Sequence, residues 1–457
     1  MHQRLLVRSV AALCLLASGA VVAQSAPWAA PMQQSTPVPS SSAVLGLDQA
    51  VEMAVDWHPS VRNAAGYLME AVDAIDAARA GYYPQVRAGL GSDFRNRDIP
   101  GYDSRRAHQF SVSVSQMLYD FGKVSSTVDR AQAGREAAQA RLLLSVDDLA
   151  RDTAHAWIEV RRYEDLVLLA QAQRDGVGAI ANLARERREL GASPLSDAMQ
   201  AQAREEAAQA NLLDMTSQLE RWRLQLRQLT GLSALPTIGA DAVAETRLAM
   251  SCDINPTTSQ WDVPSVLVAQ AQLRVSRADL DNARAQTRPT LSLDGSVSRG
   301  LDADSRMGRS HDSAIGLNVS APLYEGGGNR ARQRAAGHAM TAAEAALDFA
   351  RLQTTQSLMD AQSRARGYAG RNAVLGQRVS SIEQTRDLYR QQYLDLGTRT
   401  LLDLLNAEQE FHGARVERIN NSQDLMRMQI DCLSSGGGLR RAFGLEGRQV
   451  AGVELVP

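Results

Sequence analysis

Few side chains in this 457-residue chain have the type and spacing for covalent chemistry. Seven histidines are scattered from His2 to His412 without ligand spacing, and neither HExxH nor CxxC occurs. GGGN at Gly326–Asn329 opens a helix-like stretch and could offer backbone N–H groups to a phosphate. The GK[ST] that completes a nucleotide loop is missing. Cys252 and Cys432 could pair in an oxidising compartment; the sequence leaves that open, because geometry decides it. No catalytic residue, metal or cofactor is expected. What remains is charge and turn chemistry. Asp403 and Asn406 are three apart and share one helix face. LGAS (Leu190, Gly191, Ala192, Ser193) and LGTR (Leu396, Gly397, Thr398, Arg399) read as turns that end helices.

The elements around these groups say more. The chain opens with a basic stretch holding Arg4 and Arg8, an apolar core from Val10 to Val22, and small residues up to Ala23. This predicts a cleaved secretory signal over 1–23. Cys14 lies inside the apolar core after Leu13, not after a small residue, so it belongs to the discarded peptide and not to a lipid anchor. A Pro-, Ser- and Gln-rich linker is expected over 24–44. No later apolar run is long enough for a transmembrane helix. Net charge is −2 and aromatic content 5%. That balance excludes a basic nucleic-acid binder, and abundant Ala with few aromatics favours long helices with thin seams.

The chain also repeats itself. At a constant shift of 205, Pro59 falls on Pro264, Pro84 on Pro289 and Tyr119 on Tyr324; LYDFG at Leu118–Gly122 matches LYEGG at Leu323–Gly327. Two copies of one unit, 45–232 and 264–436, joined by 233–263 and followed by a tail over 437–457, is the economical reading. In each unit a helix (about Ser60–Tyr82, about Ser265–Thr287) stops at a proline. Two alternating runs follow, about Gln85–Arg95 and His108–Tyr119, then about Thr290–Gly300 and Asp312–Tyr324. Their period of two predicts strands with one apolar and one polar face. Long helices come next: Lys123–Glu189 and Leu195–Thr230, then about Asn329–Asp395 and Leu401–Leu433, with DGVG at Asp175–Gly178 a candidate break. A 67-residue helix is about 100 Å long and needs coiled-coil partners. The junctions Pro84, Tyr119, Gly122 and Pro289, Tyr324, Gly327 mark where strands meet helices. Gly326 and Gly328, in place of Phe121 and Lys123, predict that the second junction is the more flexible.

Strands of about 11 residues suit a tilted membrane crossing. A sheet in lipid must close, and four strands cannot, whereas three chains sharing four each would close a twelve-stranded barrel. This layout, over about Leu45–Leu445 and most specifically in LGTRTLLDLLNAEQEFHGAR (Leu396–Arg415), resembles the TolC-like outer membrane factors. The resemblance implies an α+β membrane protein: a shared trimeric barrel in the Gram-negative outer membrane above a long α-helical, coiled-coil periplasmic tunnel. The segments 233–263 and 437–457 would form a belt. It further implies a homotrimer that meets a periplasmic adaptor protein at the two tips and, through it, an inner-membrane pump. Asp403 and Asn406 would line the tunnel mouth. Arg399 would lock onto Ser196 and Asp197 of a neighbouring subunit, with Leu394, beside Tyr393, at the family's tyrosine position. The unacylated signal and the LGTRTLLDLLNAEQE wording point to type I protein secretion with an ATP-driven (ABC) transporter. Multidrug efflux with an RND-type pump is the alternative, and a structural coiled-coil surface protein a remote one.

Overall fold

The computed structural model describes residues 44–94, 106–239, 248–249, 251–253, 263–300 and 311–455. The leader expected over 1–23, nearly all of the linker over 24–44, and both loops between paired strands lie outside them. In chain order the main elements are α1 (Leu47–Trp57), α2 (Pro59–Arg79), β1 (Gln85–Phe94), β2 (Arg106–Tyr119), α3 (Lys123–Glu189) and α4 (Leu195–Thr230). The second half runs α5 (Pro264–Ala285), β3 (Thr290–Gly300), β4 (His311–Ser320), α6 (Gly328–Gln391) and α7 (Leu401–Ser435). A short α8 (Leu439–Ala442) and the two-residue strands β5 (Gln449–Val450) and β6 (Val453–Glu454) finish the tail.

The long helices are held by seams, not by a globular core. α5 lies along the first part of α3, where Arg130 pairs with Asp279 and Glu136 with Arg274, each at 2.6 Å. α4 runs back antiparallel along the far part of α3, with Glu164 meeting Arg223 at 2.9 Å and Glu205 meeting Arg185 at 3.9 Å. α7 crosses the middle of α3, with Arg162 on Asp424 at 2.5 Å. The seam residues are mostly Ala, Val and Leu, which lets helix axes approach closely. DGVG does not break α3. Gly176 and Gly178 sit mid-helix, and a Cβ on Gly176 would come within 2.9 Å of Glu408 Oε1, so the glycine admits an α7 side chain against α3.

The largest hydrophobic cluster wraps the middle of α3. Trp157 and Ile158 are buried against Leu47 and Val51 of α1, Leu226 of α4, Ile430 of α7, and Leu439, Phe443 and Leu445 of the tail. Trp157 Nε1 donates to the Leu45 carbonyl at 3.0 Å. Cys252 and Cys432 are joined, which ties the segment between the halves to α7.

The strands form one antiparallel sheet in the order β1-β2-β3-β4. The expected alternation is carried by register: Val112 stands between Ala88 and Val297, and Ser113 between Arg87 and Ser296. β4 stops at Ser320 and not near Tyr324. Pro322 has no N–H to donate to a ladder, so the chain leaves the sheet there.

Candidate functional site

Two places in the chain present exposed large apolar side chains: the helical tips and the sheet with its junctions. At the first tip α3 ends at Glu189. The Ala192 N–H reaches back to the Arg187 carbonyl at 2.8 Å, and Gly191 has φ +69°, so the closing residue takes the left-handed form that glycine enters without strain. Pro194 caps α4 from just outside it. At the second tip α6 widens into a π turn over Gln392–Leu396 before Gly397 (φ +62°) reverses the chain. The sequence pattern predicts regular helix to Asp395; the wider turn carries the Thr398 N–H to the Gln392 carbonyl at 3.2 Å. Leu190 is 82% exposed and Leu396 65%.

One apolar cluster binds the two tips together within the chain. Val177, Ile180 and Ala184 of α3 and Ala201 of α4 meet Tyr393, Leu401 and Leu404. Arg187 stacks over the Tyr393 ring, 4.5 Å from its centre. Packing Leu401, Leu404 and Leu405 inward leaves Leu402, Asn406, Gln409 and Glu410 exposed and Asp403 half-buried on the other side of α7. Asp403 and Asn406 therefore share an outward face, which Glu410 extends by one more turn. The sequence reading missed Glu410, although its spacing from Asp403 is the helical signal that could have found it.

Asp403 has local work as well. Thr400 Oγ1 donates to its carboxylate at 2.9 Å and accepts from its backbone N–H at 3.2 Å, a capping box that starts α7. Asp197 stands at the same turn of α4 and accepts from Ser193 at 3.0 Å and Ser196 at 3.5 Å. A carboxylate in the first turn of a helix is favoured by the helix dipole. Arg399 is held by its own hairpin: its Nε donates to Gln392 Oε1 at 3.1 Å, and its guanidinium lies 4.3 Å from the centre of the Tyr389 ring. Within one chain, Arg399 does not meet Ser196 or Asp197. The tyrosine beside Arg399 is Tyr389, ten positions earlier in the sequence, while Tyr393 is buried and Leu394 is 38% exposed.

The two strand–helix junctions share a backbone path. Phe121 and Gly122 have φ +56° and +95°; Gly326 and Gly327, at the matching positions, have +61° and +85°. A phenylalanine in this region is strained, and its surroundings hold it there. The Tyr119 ring packs edge-on at 4.6 Å, and Arg288 Nη1 donates to the Phe121 carbonyl at 2.5 Å. Buried Asp120 accepts from the N–H groups of Gly122 and Val124 at 2.9 and 2.6 Å. The second junction is braced differently, by Glu325 against Arg332 at 2.5 Å, and no side chain stands within 4 Å of where a Cβ on Gly326 or Gly327 would lie.

The sheet presents Leu90, Ile315, Leu317 and Val319 on its apolar face, all between 69% and 80% exposed. Its opposite face carries serines around Asp294, which accepts from Ser115 at 2.6 Å and Ser292 at 2.9 Å. Both β1 and β4 leave an edge unpaired. Among the described residues no helix is long and apolar enough to cross a membrane, and no His, Cys, Asp and Glu cluster could hold a metal.

The family model for outer membrane efflux proteins matches residues 50–232 and 262–431. The chain belongs to the outer membrane efflux protein family. The break between the two matched stretches falls between the two halves of the chain. Among relatives of this family member, outer membrane protein TolC of Vibrio cholerae is 24% identical over 405 residues, covering 87% of this chain and 90% of that protein. Proteases secretion protein PrtF of Dickeya chrysanthemi is 25% identical over 398 residues, covering 81% and 85%. A solved membrane protein from Pseudomonas aeruginosa shares the fold at a TM-score of 0.76 with 22% identity, over 87% of this chain and 92% of that one. These relatives are outer membrane and secretion proteins, not enzymes.

This family member also holds ionic groups that no motif announces. Asp147 of α3 and Arg440 of α8 are both almost fully buried and meet at 2.8 Å. Burial pushes the Asp147 carboxyl up to about 6, against the pull of Arg440. Glu159, also buried, meets Arg427 at 3.1 Å, and His412 meets Glu408 at 3.0 Å. The first two pairs are made by helix packing; only Glu408 and His412, four apart on α7, are close enough in sequence to have been found beforehand.

Proposed function

We propose that this protein is one third of an outer membrane export duct. The observation that carries the reading is the sheet: an apolar face left open to its surroundings, a polar face opposite, and two unpaired edges. In water such a sheet is a liability; in lipid an open edge is not tolerated, so the edges must pair with other copies. Three chains close a twelve-stranded barrel with the serine face towards the lumen, and the helices continue it as a periplasmic tunnel. The halves 45–232 and 264–436 are two copies of one unit, with 233–263 and 437–457 packed as a belt. Pro84, Tyr119, Gly122, Pro289, Tyr324 and Gly327 are the hinges between barrel and tunnel.

The tips carry the traffic. Exposed Leu190 and Leu396, with Gly191, Ala192, Ser193, Gly397 and Thr398, form the surface on which a periplasmic adaptor docks. Asp403 and Asn406 ring the tunnel mouth, and Arg399 meets Ser196 and Asp197 of the adjacent subunit. The duct has no engine of its own, so an inner-membrane pump must supply the energy. The likeness to a proteases secretion protein supports type I protein secretion with an ABC transporter; the family's description as efflux proteins supports a multidrug pump as the second reading.

A deletion strain separates them. Loss of exported proteins with unchanged drug susceptibility is the expected result. Drug sensitivity with an intact secretome selects efflux, and loss of neither overturns the export reading.

A further inference from the structure

Just beyond β4, the groove between α5 and α6 is basic. It is a shallow, open groove of about 360 Å³, lined by Leu280 and Arg284 of α5 and by Arg330, Gln333, Arg334 and Gly337 of α6. Arg330 and Arg334 lie one turn apart and are exposed. Neither has an ion-pair partner among the described residues, whereas neighbouring Arg332 is held by Glu325 and Arg284 by Asp281.

The first half of the chain provides an internal control. At the shift of 205, Arg330 corresponds to Ser125, Gln333 to Val128 and Arg334 to Asp129, while Leu280 and Arg284 correspond to Ile75 and Arg79. The same helix packing is therefore built without the two guanidiniums, and with a carboxylate in place of one of them. Packing does not explain them; an anionic ligand does. The approach is open, because the bare Gly326–Gly328 backbone stands where the first half carries Phe121 and Lys123. Leu323 and Tyr324, a few residues before α6 in the chain, are 95% and 86% exposed. An exposed leucine and tyrosine beside unpaired arginines match an acyl chain and the headgroup below it.

We infer that the α5–α6 groove binds a phosphate group, and that its source is an anionic glycerophospholipid of the periplasmic leaflet, one per subunit. This rests on the reading of the sheet as membrane-embedded. Recovery of the full chain from the outer membrane fraction tests that reading separately.

The test is native mass spectrometry of the purified protein in detergent, titrated in parallel with phosphatidylglycerol, phosphatidylcholine and inorganic phosphate. Phosphatidylglycerol adducts are expected in preference to phosphatidylcholine. Arg330→Gln with Arg334→Gln should weaken them about thirtyfold, the effect of removing two basic residues near a membrane surface. Arg330→Lys with Arg334→Lys should retain most of the binding, which separates lost charge from misfolding. Binding of inorganic phosphate without phosphatidylglycerol preference overturns the lipid source. Equal adducts in wild type and the Gln variant overturn the site. A Gln variant that falls apart into monomers while the Lys variant does not overturns it too, because the arginines then serve carboxylates of a second copy.

Discussion

Replacing Arg440 by methionine tests whether the tail is latched to α3 by charge. Arg440 is the hydrogen-bonded cation of Asp147, 2.8 Å away, and the second carboxylate oxygen, Oδ1, has no partner. Even with Arg440 present, burial lifts the Asp147 carboxyl from 3.8 to about 6, so holding it ionised at pH 7 costs about 3 kcal/mol. Without Arg440 the carboxyl takes up a proton at pH 7, which caps its total cost at about 4 kcal/mol and the added loss at about 1 kcal/mol. The folded chain binds this proton more tightly than the unfolded chain. Stability from this group is therefore greatest below about pH 4 and falls as pH rises through about 6. In Arg440→Met the carboxyl rises further, so the variant should recover more on acidification than the wild type does. The assay is hydrogen exchange over residues 439–455, corrected for intrinsic rate, at pH 7 and pH 5. At pH 7 the variant should open the tail about tenfold more often; at pH 5 the gap should narrow. Asp147→Leu with Arg440→Met should return protection to near the wild-type level. A single variant within about threefold of wild type at pH 7, or an equal deficit at both pH values, would refute the latch.

Further outcomes can be checked on the same protein. Arg399→Ala or Asp197→Ala should raise single-channel conductance in planar bilayers, and unchanged conductance removes the lock between subunits. Asn406→Asp adds a carboxylate beside Asp403 on the exposed face of α7, so reversal potentials in a salt gradient should shift towards cation selectivity, most at low ionic strength. Replacing both Cys252 and Cys432 by serine should lower resistance to heat by about 2–5 kcal/mol equivalent, with the wild type falling to the same level in reductant. Phe121→Gly relieves a strained backbone but loses the Tyr119 contact; the two effects are of similar size, about 1 kcal/mol each, so urea midpoints should stay close.

Much of this protein is legible in one dimension because its elements are long and periodic. The α3 and α4 boundaries follow from Gly122, Gly191 and Pro194, and the sheet from the alternation of Phe110, Val112 and Val114 with serines. Periodicity repeats many times over such elements, so local chemistry overrides noise. Local competition decided the exceptions. Pro322 ends β4 early, the wide turn at Gln392 replaces regular helix, and Gly176 of DGVG admits an approaching Glu408 instead of marking a break.

The groups that meet across the fold were out of reach. Arg187 over Tyr393, Asp147 with Arg440 and the joining of Cys252 to Cys432 depend on how segments far apart in the chain are placed side by side. A sequence shows which residues share a face of one helix but not which face of another helix it meets. Composition and period by themselves determined the layout of long helices and a four-stranded sheet. Only the tertiary structure decided which charges are buried, which turn residues are held within their own hairpin, and which arginines have no ion-pair partner among the described residues. Those outcomes depend on distances of a few ångströms between segments far apart in the chain.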